Sequence, residues 1–257
     1  DVLELARCFT GWEIRNERFR FNRYQHDTGE KTILGRTGNF GGEAGVEIIL
    51  EQKSCPRFLV RKLIRYFLFD EPEVPESLVA PLADQFQADG YDIALLLERM
   101  LSSNLFFSAH SVGRKVRSPV EFTLGLLRGL ESQADSYLLR DELIYLGQSL
   151  FYPPNVKGWE GGRSWINSST LLARANLVRK LVDAGKGRFA EGQLKELAST
   201  YGIGGSSELV DWLLKLLVAI PIPDGVRTSL IQLADREKNR PGEVVHALAT
   251  LPEFQIG

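Results

Sequence analysis

PRFLVRKLIRYFLF, residues 56–69, has the pattern of an amphipathic helix. Arginines recur every four residues on one side, and apolar residues recur at helical spacing on another. Pro56 suits the first position of a helix, where its missing N–H is not needed. The apolar residues of this pattern are Leu59, Leu63, Tyr66 and Phe67.

Helical patterns dominate the chain from Glu43 onward. Ser118-Pro119-Val120-Glu121 predicts a helix start, because it combines an N-cap serine, a first-turn proline and a capping-box glutamate. We therefore predict a mainly all-α, bundle-like fold. Besides 56–69, helices are expected at 43–52, 75–88, 92–102, 118–131, 138–150, 169–184, 191–201, 207–220, 225–236 and 242–251.

Two irregular segments interrupt these helices. In the first, Trp12, Ile14, Phe19 and Phe21 alternate with polar residues around a central turn, which predicts a short β-hairpin. Residues 24–42 follow and are polar and glycine-rich, as in an ordered loop. The second segment is FYPPNVKGWEGGRSWIN, residues 151–167, and we predict an ordered loop there as well.

Length and composition restrict the class of protein. The 257 residues suit a single helical domain; the alternative is a subdivision into a motif-bearing segment, residues 1–165, and a helical segment, residues 166–257. Asp1 begins inside a helical pattern, so we expect a fragment of a longer protein. The net charge of -2 argues against a nucleic-acid partner. No apolar run approaches the roughly 18 residues of a membrane span.

No complete catalytic or metal-binding motif is present, so whether the chain is an enzyme is left open. The sequence contains no Gly-x-Ser-x-Gly elbow. Cys8 and Cys55 lack zinc-site spacing, so neither a metal nor another cofactor is expected. Two buried thiols are the favoured interpretation, and a disulfide, which would require export, is the alternative.

His26-Asp27 is the first candidate site. Such a pair can share a divalent metal or transfer protons, but His110 and His246 lie in unrelated segments. The favoured alternative is a loop histidine held by hydrogen bonds, with Asp27 capping the turn. The glycines of residues 35–42 could bind an anion near Lys31 through their backbone amides. They are better explained as residues that allow the backbone to turn.

The helix at 56–69 also carries a basic face, which includes Arg61 and Lys62. Residues 70–92 are acidic and contain no lysine or arginine. An ion-pair network or a solvated face is therefore favoured, and an anionic ligand held by arginines is the alternative.

The loop 151–167 is the most informative candidate. Its tryptophans could form an aromatic platform for a sugar or peptide, or they could plug the core between helical layers. The platform would comprise Tyr152, Asn155, Trp159, Glu160, Arg163 and Trp165.

Several motifs taken together resemble the bacterial domain-of-unknown-function family numbered 1800. The resemblance covers residues 1–179 and extends to a closing LPEFQ at 251–255. The motifs are DVLELARCFTGW at 1–12, HDTGEKTILG at 26–35, RFLVRKL at 57–63, SPVE at 118–121 and PPNVKGW at 153–159.

The resemblance implies a setting rather than an activity. Members of the family have no established activity and are longer, so this chain would be the C-terminal portion of the family domain. Many look exported and occur beside a second uncharacterised family, which implies a periplasmic, envelope or secreted setting. The positions that match the family motifs are Trp12, His26, Asp27, Lys31, Gly35, Arg61, Lys62, Asn155, Gly158 and Trp159.

Two functional hypotheses follow. The leading one is a non-catalytic binding or assembly module of an exported or envelope-associated bacterial system, with a protein or glycan partner. The competing one is a hydrolase of polysaccharide or another polymer, with acid and base drawn from Asp27, Glu13 and Glu160. We also expect residues 10–42 and 151–167 to lie together. The candidate ligand-binding residues are Trp12, His26, Asp27, Lys31, Arg61, Lys62, Asn155, Trp159, Glu160 and Trp165.

Overall fold

The computed structural model describes residues 1–183, 191–238 and 240–257. Within these ranges the chain is mainly α-helical, with short β-hairpins near its N-terminus, so the predicted fold class is confirmed. The chain divides into two compact units. The N-terminal unit comprises Asp1–Ile64 and Val74–Arg99, and the C-terminal unit comprises Arg65–Glu73 and Met100–Gly257. The expectation of one helical domain stays a prediction.

The N-terminal unit combines short strands with helices. Its strands form two separate antiparallel hairpins, β1 with β2 and β3 with β4. The last residues of α3 and of α5 are assigned to the C-terminal unit. The elements are α1 Val2–Cys8, β1 Trp12–Arg15, β2 Arg18–Phe21, β3 Lys31–Ile33, β4 Arg36–Gly38, α2 Gly42–Leu50, α3 Ser54–Phe67, α4 Glu76–Ala88 and α5 Ile93–Leu101.

The first hairpin lies where the alternating pattern predicts it, and the second was not foreseen. Residues 24–42 contain β3 and β4 in place of a continuous loop. Leu34 and Gly35 connect these strands with φ angles of +48° and +82°, which a tight two-residue hairpin turn requires. Strands of three residues are too short to show a reliable alternation, which explains the omission.

A small core joins the second hairpin to α1 and α2. Cys8, Ile33 and Ile48 are buried together, and Leu5 and Phe40 pack against them. Both cysteines are free thiols, and Cys8 is the more deeply buried of the two. The strand β3 therefore turns its side chains at positions 31 and 33 inward.

Helix α3 buries a row that is displaced by one residue from the predicted one. Pro56, Val60 and Ile64 follow each other at intervals of four and are buried. Tyr66, which the pattern places on the apolar side, is exposed. Periodicity thus predicts the helix correctly but locates the centre of its buried face only approximately.

The C-terminal unit is a helical bundle. The capping box predicted at Ser118 and Glu121 is present at the start of its first helix. Its elements are α6 Pro119–Gly129, α7 Ser136–Tyr145, α8 Ser168–Asp183, α9 Glu191–Thr200, α10 Ser206–Leu217, α11 Asp224–Arg236 and α12 Pro241–Ala249, with 3-10 helices at Gly162–Trp165 and Pro252–Gln255.

Helix α12 is central to this bundle. It packs against α8, α9, α10 and α11, and most of its residues are buried. Gly242 allows the close approach to α8, because a Cβ at that position would collide with Val182. The predicted end of α8 at Ala184 lies outside the described residues. Among the helices of the described ranges, none has both the length and the apolarity to cross a membrane.

Candidate functional site

Asp27 is the anchor of the HDTGEK segment, residues 26–31, which we call the motif loop. Arg7 at the end of α1 donates from Nε to Asp27 Oδ2 at 2.7 Å and from Nη2 to Oδ1 at 3.1 Å. This hydrogen-bonded fork, together with the N–H of Gly29, holds the pKa of Asp27 well below its usual range. Asp27 is therefore held in its ionised form and is poorly suited to act as a general acid.

His26 is fixed by the backbone before β1. Its Nδ1 lies 2.8 Å from the carbonyl oxygen of Thr10, and because a carbonyl can only accept, Nδ1 carries the proton. The Thr10 hydroxyl accepts from the Asp27 N–H at 2.8 Å. The ring of His26 packs edge-on against Phe21, with 5.3 Å between centroids. These contacts fix the orientation of the His26 ring in the loop.

Lys31 is the most deeply buried charged residue of the motif loop. It is 1% exposed, and its Nζ donates to the carbonyl oxygens of Asp27 at 2.6 Å and Gly29 at 3.1 Å. Two of its three donors are thus used by the loop that contains it. Burial raises the pKa of the neighbouring Cys8 thiol, an effect that the charge of Lys31 opposes.

The motif loop therefore has the hydrogen-bonded structure expected as the alternative to a catalytic pair. The loop contains three candidate ligand residues, and each forms hydrogen bonds to other atoms of the same chain. They are His26, Asp27 and Lys31. Across the described ranges, no group of three or more His, Cys, Asp and Glu side chains is placed to hold a metal ion.

Two arginines of the basic face of α3 form ion pairs within the N-terminal unit. Arg57 and Arg61 both form ion pairs with Glu76, and Arg57 also lies 3.6 Å from Asp84. Lys62 is exposed and its Nζ lies 5.4 Å from the ring centroid of Phe58. The acidic stretch that follows α3 in sequence thus supplies the ion-pair network expected for Arg61.

In the C-terminal unit, Asn155 and Trp165 stabilise the loop 151–167 from within. Asn155 forms a turn, because its Oδ1 accepts from the Lys157 N–H at 2.8 Å and its carbonyl accepts from the Gly158 N–H at 3.0 Å. Trp165 is only 8% exposed, as in the plug interpretation, so it cannot serve as an open platform. Trp159 is half-buried.

The exposed side chains of this loop include Tyr152 and Glu160 of the predicted platform, and also Phe151 and Val156, which sequence reasoning did not single out. Phe151 is 97% exposed and has a φ of +60°, a conformation that bulky residues rarely adopt. Tyr152 and Val156 are exposed as well. Glu160 is also exposed.

The hairpin of β1 and β2 also carries exposed apolar side chains. Trp12 is anchored at its base, where it packs edge-on against Phe9 and over Gly42. Phe19, 64% exposed, and Ile14, 82% exposed, lie nearer the turn and face solvent. The alternating pattern predicted these residues on one face, but sequence alone gave no sign that the face is open.

The two proposed acid-base carboxylates of the N-terminal unit are both held in ion pairs. Asp27 is bound by Arg7, and Glu13 lies 3.3 Å from Arg20 in an ion pair. Glu160 belongs to the C-terminal unit. The expected proximity of residues 10–42 and 151–167 involves both units and stays a prediction.

Comparison with known proteins places this fold in a family. A family model described as a protein of unknown function, DUF1800, matches residues 1–256. No curated protein and no solved structure matches the chain. The resemblance inferred from the five motifs is confirmed, and the chain belongs to the DUF1800 family.

Proposed function

We propose that the protein is a non-catalytic binding or assembly module of an exported or envelope-associated bacterial system. The observation that supports this most directly is the open apolar face of the first hairpin. A two-stranded hairpin is marginal by itself, and large apolar side chains left open on a fixed scaffold often mark an interaction site. Ile14 and Phe19 are such side chains.

The state of the polar motif residues supports the same proposal. Asp27 and Glu13 are engaged in ion pairs, and His26 and Lys31 are bonded to backbone carbonyls. The two carboxylates that the hydrolase hypothesis takes from this unit, Asp27 and Glu13, would each have to leave an ion pair before acting on a substrate. The hydrolase hypothesis thus loses most of its candidate residues.

The exported or envelope setting has a different basis. It rests on the family resemblance, in which members look exported and occur beside a second family. The interaction surface is inferred from the geometry of the hairpin, and the cellular compartment is inferred from the family. The two halves of the proposal therefore need separate readouts.

The surface can be tested by crosslinking in the bacterium that produces the protein. We would place p-benzoylphenylalanine at Phe19, and at the exposed Arg128 of α6 as the matched control. We expect a discrete adduct of constant mass from position 19 in the envelope or secreted fraction, and none from position 128. Equal labelling from both positions would contradict an interaction surface at the hairpin.

Turnover is the second readout. The purified protein should release no reducing ends from envelope polysaccharides. If product is released, and if this release disappears in an Asp27→Asn variant that still unfolds cooperatively, the binding function is rejected in favour of the hydrolase.

A further inference from the structure

The hairpin of β1 and β2 has two faces of opposite chemistry. Successive side chains of a strand point to opposite faces, so the register sorts them. Trp12 pairs with Phe21 and Ile14 with Phe19, and these four form the apolar face. On the other side, which we call the arginine face, Glu13 pairs with Arg20 and Arg15 with Arg18.

The arginine face carries charge that its own unit leaves uncompensated. Arg20 has an ion-pair partner in Glu13 at 3.3 Å. Arg15 and Arg18 lie directly opposite each other, an arrangement of like charges that destabilises a hairpin. Neither has an acidic partner among the residues that the structure describes. A bound carboxylate would relieve this repulsion.

The edge of β2 is free to take another strand. The N–H of Asn22 donates to the Gly11 carbonyl at 2.7 Å, which makes these residues a hydrogen-bonded pair. Bonded and non-bonded pairs alternate along an antiparallel ladder, so Phe19 and Phe21 belong to non-bonded pairs and turn their N–H and C=O groups outward. Within the described ranges, the sheet has two strands and these groups have no hydrogen-bond partner.

The turn between β1 and β2 holds the open edge of β2 in a fixed conformation. Asn16 and Glu17 have φ angles of +53° and +60°, as in the type I′ turn that matches the twist of a two-residue hairpin. At the base, Gly11 has a φ of +82°, and a Cβ there would lie 2.6 Å from the Asn22 carbonyl oxygen. The backbone conformation is therefore tightly restricted at both ends of the hairpin.

We propose that the β2 edge binds an extended strand of a partner protein in which apolar and acidic residues alternate. An added strand places successive side chains on opposite faces. Its apolar residues would extend the apolar face, and its carboxylates would reach Arg18 and Arg15. This inference rests on the proposed binding function and names the chemistry of its partner.

Two other occupants fit the hairpin less well. Large apolar side chains bury about 150–250 Å² each, so a face whose four members are 42% to 82% exposed offers on the order of 500 Å². A stable face-to-face pair of copies needs about 800 Å² from each. A lipid surface under the apolar face would leave the arginines pointing away from the headgroups, and Glu17 at the turn disfavours insertion by the tip.

The test uses a fluorescein-labelled, eight-residue peptide in which valine and glutamate alternate, titrated with the whole chain and followed by anisotropy. We expect saturable binding that weakens with salt. A peptide with lysine in place of glutamate, and one with four valines followed by four glutamates, should bind at least about tenfold more weakly. Equal binding of either control peptide would overturn the proposal.

Matched variants locate the site. Arg18→Glu should weaken peptide binding at least about tenfold, because it reverses the charge without removing apolar surface. Arg128→Glu makes the same change on α6 and should leave binding unchanged. Equal effects of the two variants would contradict a site at β2. Phe19→Ser, checked to be fully folded and to unfold cooperatively, tests the apolar contribution separately.

Two outcomes separate this inference from the proposed function. If position 19 crosslinks in cells but the alternating peptide does not bind, the proposed binding function is supported and the proposal of a strand partner is overturned. If phosphatidylglycerol vesicles bind in place of the peptide, and Arg18→Glu and Phe19→Ser both abolish that binding, the surface belongs to a membrane and the strand proposal is overturned.

Discussion

The first hairpin and the motif loop follow each other in the chain and use their side chains in opposite ways. The hairpin leaves apolar residues such as Phe19 open to solvent. The motif loop turns its polar residues, Asp27 and Lys31, towards its own chain. In this part of the chain the residues with the more reactive chemistry stabilise the fold, whereas the ordinary apolar ones are available to a partner. Changes in the loop should therefore affect stability, and changes in the hairpin face should affect binding.

Lys31→Met should give the largest loss of stability. The substitution keeps most of the aliphatic stem but removes the donors from two loop carbonyls. We expect a decrease in the free energy of unfolding of about 2–4 kcal/mol, measured by urea denaturation. An unchanged midpoint would show that the loop tolerates the loss, and the division between loop and hairpin would no longer hold.

Gly11→Ala tests the junction between the two regions. It combines a φ of +82° with a Cβ only 2.6 Å from the Asn22 carbonyl oxygen, and we expect a loss of about 2–4 kcal/mol. Gly35→Ala is the matched control, since its φ is also +82° but no atom lies within 4 Å of the new Cβ. The control should lose only about 1–2 kcal/mol. Equal losses would mean that the close approach contributes nothing.

The ion pair of Asp27 predicts a pH dependence. Because Arg7 lowers the pKa of Asp27 in the folded state, its contribution to stability is complete above the unfolded pKa of about 4 and is lost as the pH falls through the folded value. Asp27→Asn should therefore melt well below the parent at pH 7, and the gap should narrow towards pH 2. A gap that is constant over this range would exclude the pairing as its cause.

Phe19→Ser should have the smallest effect on stability. The residue is mostly exposed, and its ring contact with Trp12, at 5.3 Å between centroids, contributes about 0.5–1.5 kcal/mol. A thermal shift of a few degrees is expected. A loss as large as that of Lys31→Met would place Phe19 in the core and weaken the case for an open binding face.

The helices and the first hairpin could be predicted because their signals are local. The capping box at Ser118 and the alternation from Trp12 to Phe21 each lie within a short stretch. The second hairpin could not be predicted, because its strands have three residues each and its Lys31 points into the core.

The roles of the candidate site residues could not be predicted, because their bonding partners are distant in sequence or belong to the backbone. Asp27 is bound by Arg7, twenty residues away, and Lys31 is bound by carbonyl oxygens, which no side-chain pattern reveals. For the hairpin, alternation identifies the members of a face but not whether another element covers it. Exposure of Phe19 is a property of the tertiary structure.

The most direct test combines both regions in one measurement. Crosslinking through p-benzoylphenylalanine at Phe19 would be compared in the parent protein and in Asp27→Asn, at a temperature at which both are folded. We expect the same adduct in the same yield, because Asp27 supports the fold without contacting the partner. Loss of the adduct from folded Asp27→Asn would contradict it and return the motif loop to the binding site.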